Sequence, residues 1–326
     1  MSNSFDHRVK TGQVLSGESL PLLVEPMESG LNLIAWAQEN REALDQELIA
    51  NGGLLFRGFE LGGIGEFERF IGGLSDEILD YTYRSTPRSE VSGKIYTSTE
   101  YPADQSIPMH NEMSYTRSWP RKIWFYSVIV AGEGGETPIA DSRRVYQAID
   151  PAVRQQFVDK GGVTYVRNYG GEVDLSWQDV FQTEDRSQVE SFCGSAGIEL
   201  EWLGDDALRT RQVCQAVTQH PETGDDLWFN QAHLFHVSSL GPVVREFLEE
   251  EYGVEGLPRN TFFGDGSPID DEILDHIREV YEQTRVVFPW QEGDVLMLDN
   301  MLVAHGRNPY GGDRKLVVGM AESYSV

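Results

Sequence analysis

Cysteine is scarce in this chain of 326 residues, where Cys193 and Cys214 are the only two. Two thiols in a chain this long exclude a disulfide framework, so a reducing cytoplasm is the expected compartment. Basic residues are also few, 26 Lys and Arg against 53 Asp and Glu, and the formal charge is -27. A surface of that sign repels phosphate backbones and anionic membranes, which argues against nucleic acid or lipid as a partner. No apolar run approaches the ~20 residues that a membrane-crossing helix needs, and Met1 to Leu20 lacks the apolar stretch of an export signal, so a soluble, unexported protein is expected. Internal repeats and proline-rich or glycine-rich linkers are missing too, and residues 1–326 are therefore expected to form a single domain. Without a Gly-x-Gly-x-x-Gly turn there is no sign of a dinucleotide-binding sheet.

What is present reads as a globular protein with an ordinary 40% of hydrophobic residues. Apolar residues recur every three or four positions over 31–51 and again over 64–74, which predicts helices at the front, with a buried strand at 54–58 between them. Short strands are expected from position 94 onward, at 94–98, 109–113, 123–130, 137–140 and 163–167. Asp150-Pro151 is a helix start, with Asp as N-cap and Pro in the first turn, and the helix should run to about 159. A polar helical insertion is expected near 176–197. Beyond it the pattern predicts strands at 209–217, 227–230, 285–288, 295–298 and 316–322, with helices at 243–252 and 269–283. This order suits a mainly β protein with decorating helices around a jelly-roll core, the double-stranded β-helix, better than an alternating parallel sheet.

Against that background, His110-Asn111-Glu112 and the distant His305 stand out. Positions i and i+2 of a strand share a face, so His110 and Glu112 can grip one metal while Asn111 points away. The pair alone is better read as a surface strand with two polar side chains. With His305 it becomes two imidazoles and one carboxylate, an open donor set suited to Fe(II) that leaves positions for a cosubstrate and dioxygen. Zinc is the rival ion. It lacks its hydrolytic His-Glu-x-x-His helix here, although the same three ligands could bind it.

Gly134-Gly135-Glu136-Thr137-Pro138 follows the first motif, and Asp299-Asn300-Met301-Leu302-Val303-Ala304-His305-Gly306-Arg307 precedes Arg314. In this order the chain resembles the taurine dioxygenase-like branch of Fe(II)/2-oxoglutarate-dependent oxygenases, from about Tyr96 to Met320. Tyr96-Thr97-Ser98-Thr99-Glu100-Tyr101-Pro102, His110 to Tyr115 and Trp228-Phe229-Asn230-Gln231 look closest to the SyrP-like hydroxylases within it. The resemblance implies His110, Glu112 and His305 as iron ligands. It also implies Arg314 and Thr137 as partners of the distal carboxylate of 2-oxoglutarate, which a planar guanidinium can hold through two parallel hydrogen bonds. Only eight residues separate His305 from Arg314, fewer than is usual in the family, and Arg307 stays open as the competing arginine.

Arg117, Asn230, His233 and Arg307 are the expected substrate contacts, with Arg121 and His236 as further polar neighbours. Asp299 and Asn300 are expected to shape the turn before His305, and Trp119, Trp124 and Trp228 to serve as core or pocket wall. The implied reaction consumes 2-oxoglutarate and dioxygen, releases succinate and carbon dioxide, and hydroxylates an unactivated C–H bond. Related halogenases carry a small residue where Glu112 stands, so hydroxylation is expected over halogenation. The resemblance points to an amino acid or amino-acid-derived substrate in specialised metabolism, free or tethered to a carrier protein. Desaturation, epoxidation or cyclisation by the same iron chemistry remains open. A non-catalytic metal-binding jelly-roll protein is the alternative of another class, and it would have no use for open metal positions or a carboxylate anchor.

Overall fold

In the computed structural model, the residues described are 5–326 except 82, 84, 87, 99, 100, 171, 172 and 205. Thr99 and Glu100, from the middle of the Tyr96-to-Pro102 motif, thus lie outside the described residues.

Eight strands form the principal sheet, in the spatial order Val9–Gln13, Leu22–Pro26, Gly53–Phe56, Val295–Asp299, Ser118–Ile129, Lys315–Ser325, Ile95–Thr97 and Glu90–Ser92. Its spine is the long antiparallel pair Ser118–Ile129 and Lys315–Ser325, running from Ser118 opposite Ser325 to Ser127 opposite Leu316, with a register shift before Lys315 pairs with Ile129. Side chains alternate across this sheet with a period of two. Trp124, Tyr126, Val295, Met297 and Val317 turn to one face, where Leu33, Trp36, Phe67 and Phe70 of the N-terminal helices cover them. Ile123, Phe125, Leu296, Leu298, Val318 and Met320 turn to the other. Burial on both faces explains why the Val295–Asp299 strand reads as an unbroken apolar run and not as an alternation.

The N-terminal cover is built as its sequence suggests. In the helix Ile64–Leu74 the buried residues are Phe67, Phe70, Ile71 and Leu74, a stripe at helical spacing, and Phe67 stacks on Tyr126 at 5.4 Å. Burying each such phenylalanine contributes about 1.5–3 kcal/mol. The Asn32 side chain caps the preceding helix, Leu33–Glu39, by accepting from the Ala35 N–H at 3.0 Å.

A three-stranded sheet of Ile107–His110, Val303–Arg307 and Ile139–Asp141 lies opposite the principal sheet and shares its inner core through Ile139, Leu302 and Val303. These opposed sheets are the double-stranded β-helix, in a mainly β chain whose helices lie outside it. A second body of sheet, Glu199–Trp202, Leu208–Cys214, Val163–Tyr169 and Arg259–Phe263, carries the helices Trp177–Phe181 and Arg186–Ala196. Those helices fall within the expected 176–197 segment and bury Val180, Val189 and Cys193 against Tyr165, Tyr169 and Leu208. The Asp150 cap also forms, accepting from the Ala152 N–H at 2.7 Å at the head of Pro151–Asp159.

Several expectations need correction. The strand placed at 109–113 is Ile107–His110 and stops there, because Asn111 to Tyr115 turn and Met113 adopts φ 58°. The segment 285–288 is not a strand, since only Val286 bridges, to Ile139. The expected strand at 227–230 ends at Trp228 and leads into the short helix Ala232–Phe235, while 209–217 divides into Leu208–Cys214 and Val217–Gln219. Several strands escaped notice, among them Val9–Gln13, which buries only Val9, Leu22–Pro26, bounded by Pro21, Glu199–Trp202, Arg259–Phe263 and Val303–Arg307, which carries His305. Among the described residues no helix is long and apolar enough to cross a membrane, and both cysteines are free and buried.

Candidate active site

His110 and His305 face one another as directly paired residues of adjacent strands, with ring centroids 4.5 Å apart. Glu112 reaches the same point from the turn beyond the strand, with its Oε2 3.9 Å from His305 Nε2. One ligand atom from each of the three lies within 4.8 Å of the others. The alternation of a strand does not bring Glu112 there. The Asn300 side chain does, gripping the Glu112 backbone on both sides: its Oδ1 accepts from the Glu112 N–H at 2.7 Å, and its Nδ2 donates to Glu112 O at 2.9 Å and Pro120 O at 2.8 Å. Asn111 points away into the core, where its Nδ2 donates to Asn300 O at 2.7 Å. Asp299 in turn accepts from the Met301 and Leu302 N–H groups and so shapes the turn leading to His305.

The donor chemistry fits a divalent ion. His110 Nδ1 lies 2.8 Å from Pro108 O, which fixes the proton on that nitrogen and leaves the Nε2 lone pair for a metal. Enclosure in the protein lowers the His110 pKa against the pull of Glu112, and burial lowers that of His305 further, aided by His110 and Arg88. Both imidazoles are therefore neutral, the form that coordinates. Phe125 packs edge-on to His305 at 5.0 Å and sets the ring's orientation.

The cavity beside the trio is lined by three arginines, Arg88, Arg307 and Arg314, and by apolar Ile107, Phe125, Leu316 and Val318. A larger hollow between Asn168 and Asp174 on one side and Tyr252 and Pro258 on the other holds none of the trio. Arg314 spends Nε on Gly135 O at 2.9 Å and touches Ser98 Oγ at 3.4 Å, with no carboxylate in an ion pair among the described residues. Burial and the neighbouring Arg307 push its pKa down to about 10, the mark of a cation lacking an anion. The glycines before Thr137 permit this approach. A Cβ on Gly135 would stand 2.9 Å from Arg314 Cδ, and one on Gly134 2.2 Å from Pro309 O, and both residues have positive φ.

Arg307 is occupied differently. Its Nη1 donates to Tyr101 O and its Nη2 to Pro102 O and Gln105 O, so it closes the 101–105 loop. The register shift beside it falls in the partner strand, with three steps from Ile107 to His110 against two from His305 to Arg307, so Arg307 lines the same cavity as His305 while the loop holds its guanidinium.

The other expected substrate contacts lie outside the cavity lining. Arg117 is exposed; Asn230 is fully buried, donating to Ala216 O and accepting from the Ala232 N–H. His233 is buried with Nε2 2.9 Å from Met109 O, and His236 bonds Ser238. Trp119, Trp124 and Trp228 are core residues throughout. Sequence reasoning missed Arg88, whose Nη2 donates to Glu112 Oε2 at 2.6 Å, and Trp290, whose indole reaches Thr137. Nothing in their spacing marks either one.

Comparison with known proteins gives the family. Residues 18–320 match the family described as taurine catabolism dioxygenase TauD, TfdA. The chain is 44% identical over 279 residues to the dapdiamide synthesis protein DdaC of Enterobacter agglomerans, covering 86% of this chain and 84% of that one. It is 29% identical over 313 residues to the clavaminate synthase-like protein At3g21360 of Arabidopsis thaliana, covering 93% and 88%. Among solved structures its fold resembles PvcB, an Fe, alpha-ketoglutarate dependent oxygenase from an isonitrile synthetic pathway, with TM-score 0.56 and 15% identity over 97% of this chain and 92% of that one. A match spanning nearly the whole chain, over a jelly roll with two imidazoles and a carboxylate converging at its mouth, makes the protein a member of the TauD/TfdA dioxygenase family.

Proposed function

We propose that this dioxygenase hydroxylates an unactivated C–H bond of an amino acid or amino-acid-derived substrate in specialised metabolism, using Fe(II), 2-oxoglutarate and dioxygen. The observation that carries the reading is the neutral-imidazole and carboxylate trio standing beside an arginine without a counter-ion. In this reading His110, Glu112 and His305 hold the metal. Bound Fe(II) supplies the redox centre that couples decarboxylation of 2-oxoglutarate to transfer of one oxygen atom into the C–H bond, the other atom leaving in succinate.

Arg314 and the Thr137 hydroxyl take the distal carboxylate of 2-oxoglutarate by charge-assisted hydrogen bonds. Arg88 holds Glu112 in place through their ion pair, while Ile107, Phe125, Leu316 and Val318 make the apolar part of the cavity wall. With a glutamate filling the carboxylate position there is no room for a halide ligand, which favours hydroxylation over halogenation. The similarity to DdaC supports an amino-acid-like substrate, and a carrier-tethered form is included in the proposal. Two free cysteines suit a cytoplasmic enzyme.

The test is incubation of candidate amino acids, free and carrier-bound, with protein, Fe(II), 2-oxoglutarate and oxygen, followed by mass spectrometry. A product heavier by one oxygen, formed with succinate, is expected. Failure of anaerobic iron-loaded protein to develop the visible charge-transfer band of a chelated 2-oxo acid would overturn the reading.

A further inference from the structure

Thr137 is buried beside the cavity, and its hydroxyl already has one partner, the Trp290 indole Nε1 at 3.1 Å. An indole N–H can only donate, so the Thr137 oxygen must be the acceptor, and the hydroxyl proton is left for another group. Thr137 makes no second side-chain hydrogen bond among the described residues. That proton is available to a ligand in the cavity that Thr137 and Arg314 both line.

Trp290 is itself fixed on both sides. Arg57 and Asp294 form a two-bond pair, Nε to Oδ1 at 3.0 Å and Nη2 to Oδ2 at 2.7 Å, with Asp294 almost wholly buried. From that pair Arg57 Nη2 donates to Pro289 O at 3.0 Å, and Asp294 Oδ2 accepts from the Gln291 N–H at 2.8 Å. The residues before and after Trp290 are thus tied to one ion pair. Further upstream, Ile139 and Val286 exchange backbone hydrogen bonds of 2.9 and 2.7 Å, which fastens this segment to the strand that follows Thr137. Phe288 packs against the Trp290 ring with centroids 5.8 Å apart. So anchored a donor, aimed at a hydroxyl on the cavity wall, is more than packing requires.

We infer that Trp290 is a positioning residue for the cosubstrate: by occupying the acceptor side of Thr137 it makes that hydroxyl a permanent donor toward the distal carboxylate of 2-oxoglutarate. This rests on the proposed role of Thr137 and extends it to a residue that never touches the ligand. Without the indole, the hydroxyl would rotate among several orientations, and each binding event would have to fix it again.

The experiment is calorimetric titration of anaerobic Fe(II)-loaded protein with 2-oxoglutarate and, in parallel, with 2-oxobutyrate, which lacks the distal carboxylate. Trp290→Phe and Trp290→Leu remove the N–H with different packing, and thermal melting identifies which of them remains folded. The folded variant should bind 2-oxoglutarate roughly 3- to 10-fold more weakly, the scale of one hydrogen bond, with 2-oxobutyrate affinity unchanged. Added to Thr137→Val, it should weaken 2-oxoglutarate binding no further, because the two residues act through one hydroxyl. Equal losses for both 2-oxo acids, or an additive double variant, would reduce Trp290 to a packing role and overturn the inference. If Thr137→Val itself leaves 2-oxoglutarate affinity intact, the proposed Thr137 site falls, and the inference with it.

Discussion

Arg307 and Arg314 lie seven positions apart and differ in what their guanidiniums already hold. Arg307 has its terminal nitrogens on three backbone carbonyls of one loop, whereas Arg314 has a single strong bond and a pKa depressed to about 10 by burial beside another cation. Arg314→Leu is accordingly expected to raise the KM for 2-oxoglutarate roughly 10- to 150-fold, the ~1.5–3 kcal/mol of hydrogen bonding to a charged group. It should leave the melting temperature nearly unchanged, since it removes a buried charge that no carboxylate balances. Arg307→Leu should do the reverse, lowering the melting temperature through the loosened 101–105 loop with little effect on KM. Steady-state kinetics and thermal melts of the two variants check this, and an exchange of the two patterns would defeat the assignment. Spacing in the sequence could not choose between these arginines, because the choice depends on which backbone carbonyls, about 200 positions away, already hold each guanidinium.

The short helix Ala232–Phe235 and the residues just before it act as a latch on the metal motif, with His233 Nε2 at Met109 O and Gln231 Nε2 donating to Asn111 O at 2.8 Å. Burial drives the His233 pKa down to about 3, so the folded protein keeps this ring neutral while the unfolded chain protonates it near 6.5. The unfolded state thus binds the extra proton below pH 6.5. Stability from this site is complete above that value and is lost as the pH falls toward 3, at up to about 1.4 kcal/mol per pH unit. Melting temperatures measured from pH 6.5 to 5, above most carboxylate titration, should fall for the parent protein and fall less for His233→Gln, which retains a donor for Met109 O. Equal slopes would show that His233 is not the proton acceptor. At this scale the sequence was legible wherever a local rule decides. The Asp150-Pro151 helix start and the apolar stripe of Ile64–Leu74 are read from neighbours a turn away. It was not legible where distant groups decide. Glu112 is placed by Asn300 from 188 positions along the chain, and Val286 bridges to Ile139 without a continuing strand.

Taken whole, the molecule sets a cationic cavity inside a strongly anionic body. Arg88, Arg307 and Arg314 line the site, with Glu112 behind Arg88, while the full chain carries -27. The proposed cosubstrate is a dianion, so it must cross a repelling field before it meets the arginines. The outer field extends about 30 Å at 0.01 M salt and about 8 Å at 0.15 M, whereas the buried guanidiniums are screened far less. Raising ionic strength over that range should therefore speed association of 2-oxoglutarate, with little change in its dissociation. Stopped-flow mixing of anaerobic iron-loaded protein with 2-oxoglutarate measures both rates. Association that slows with salt would mean that the cavity's positive field already extends beyond its mouth and steers the ligand, despite the net charge around it. The same test with 2-oxobutyrate, a monoanion, should show a smaller acceleration, because repulsion by the body scales with ligand charge while the route to the metal is unchanged.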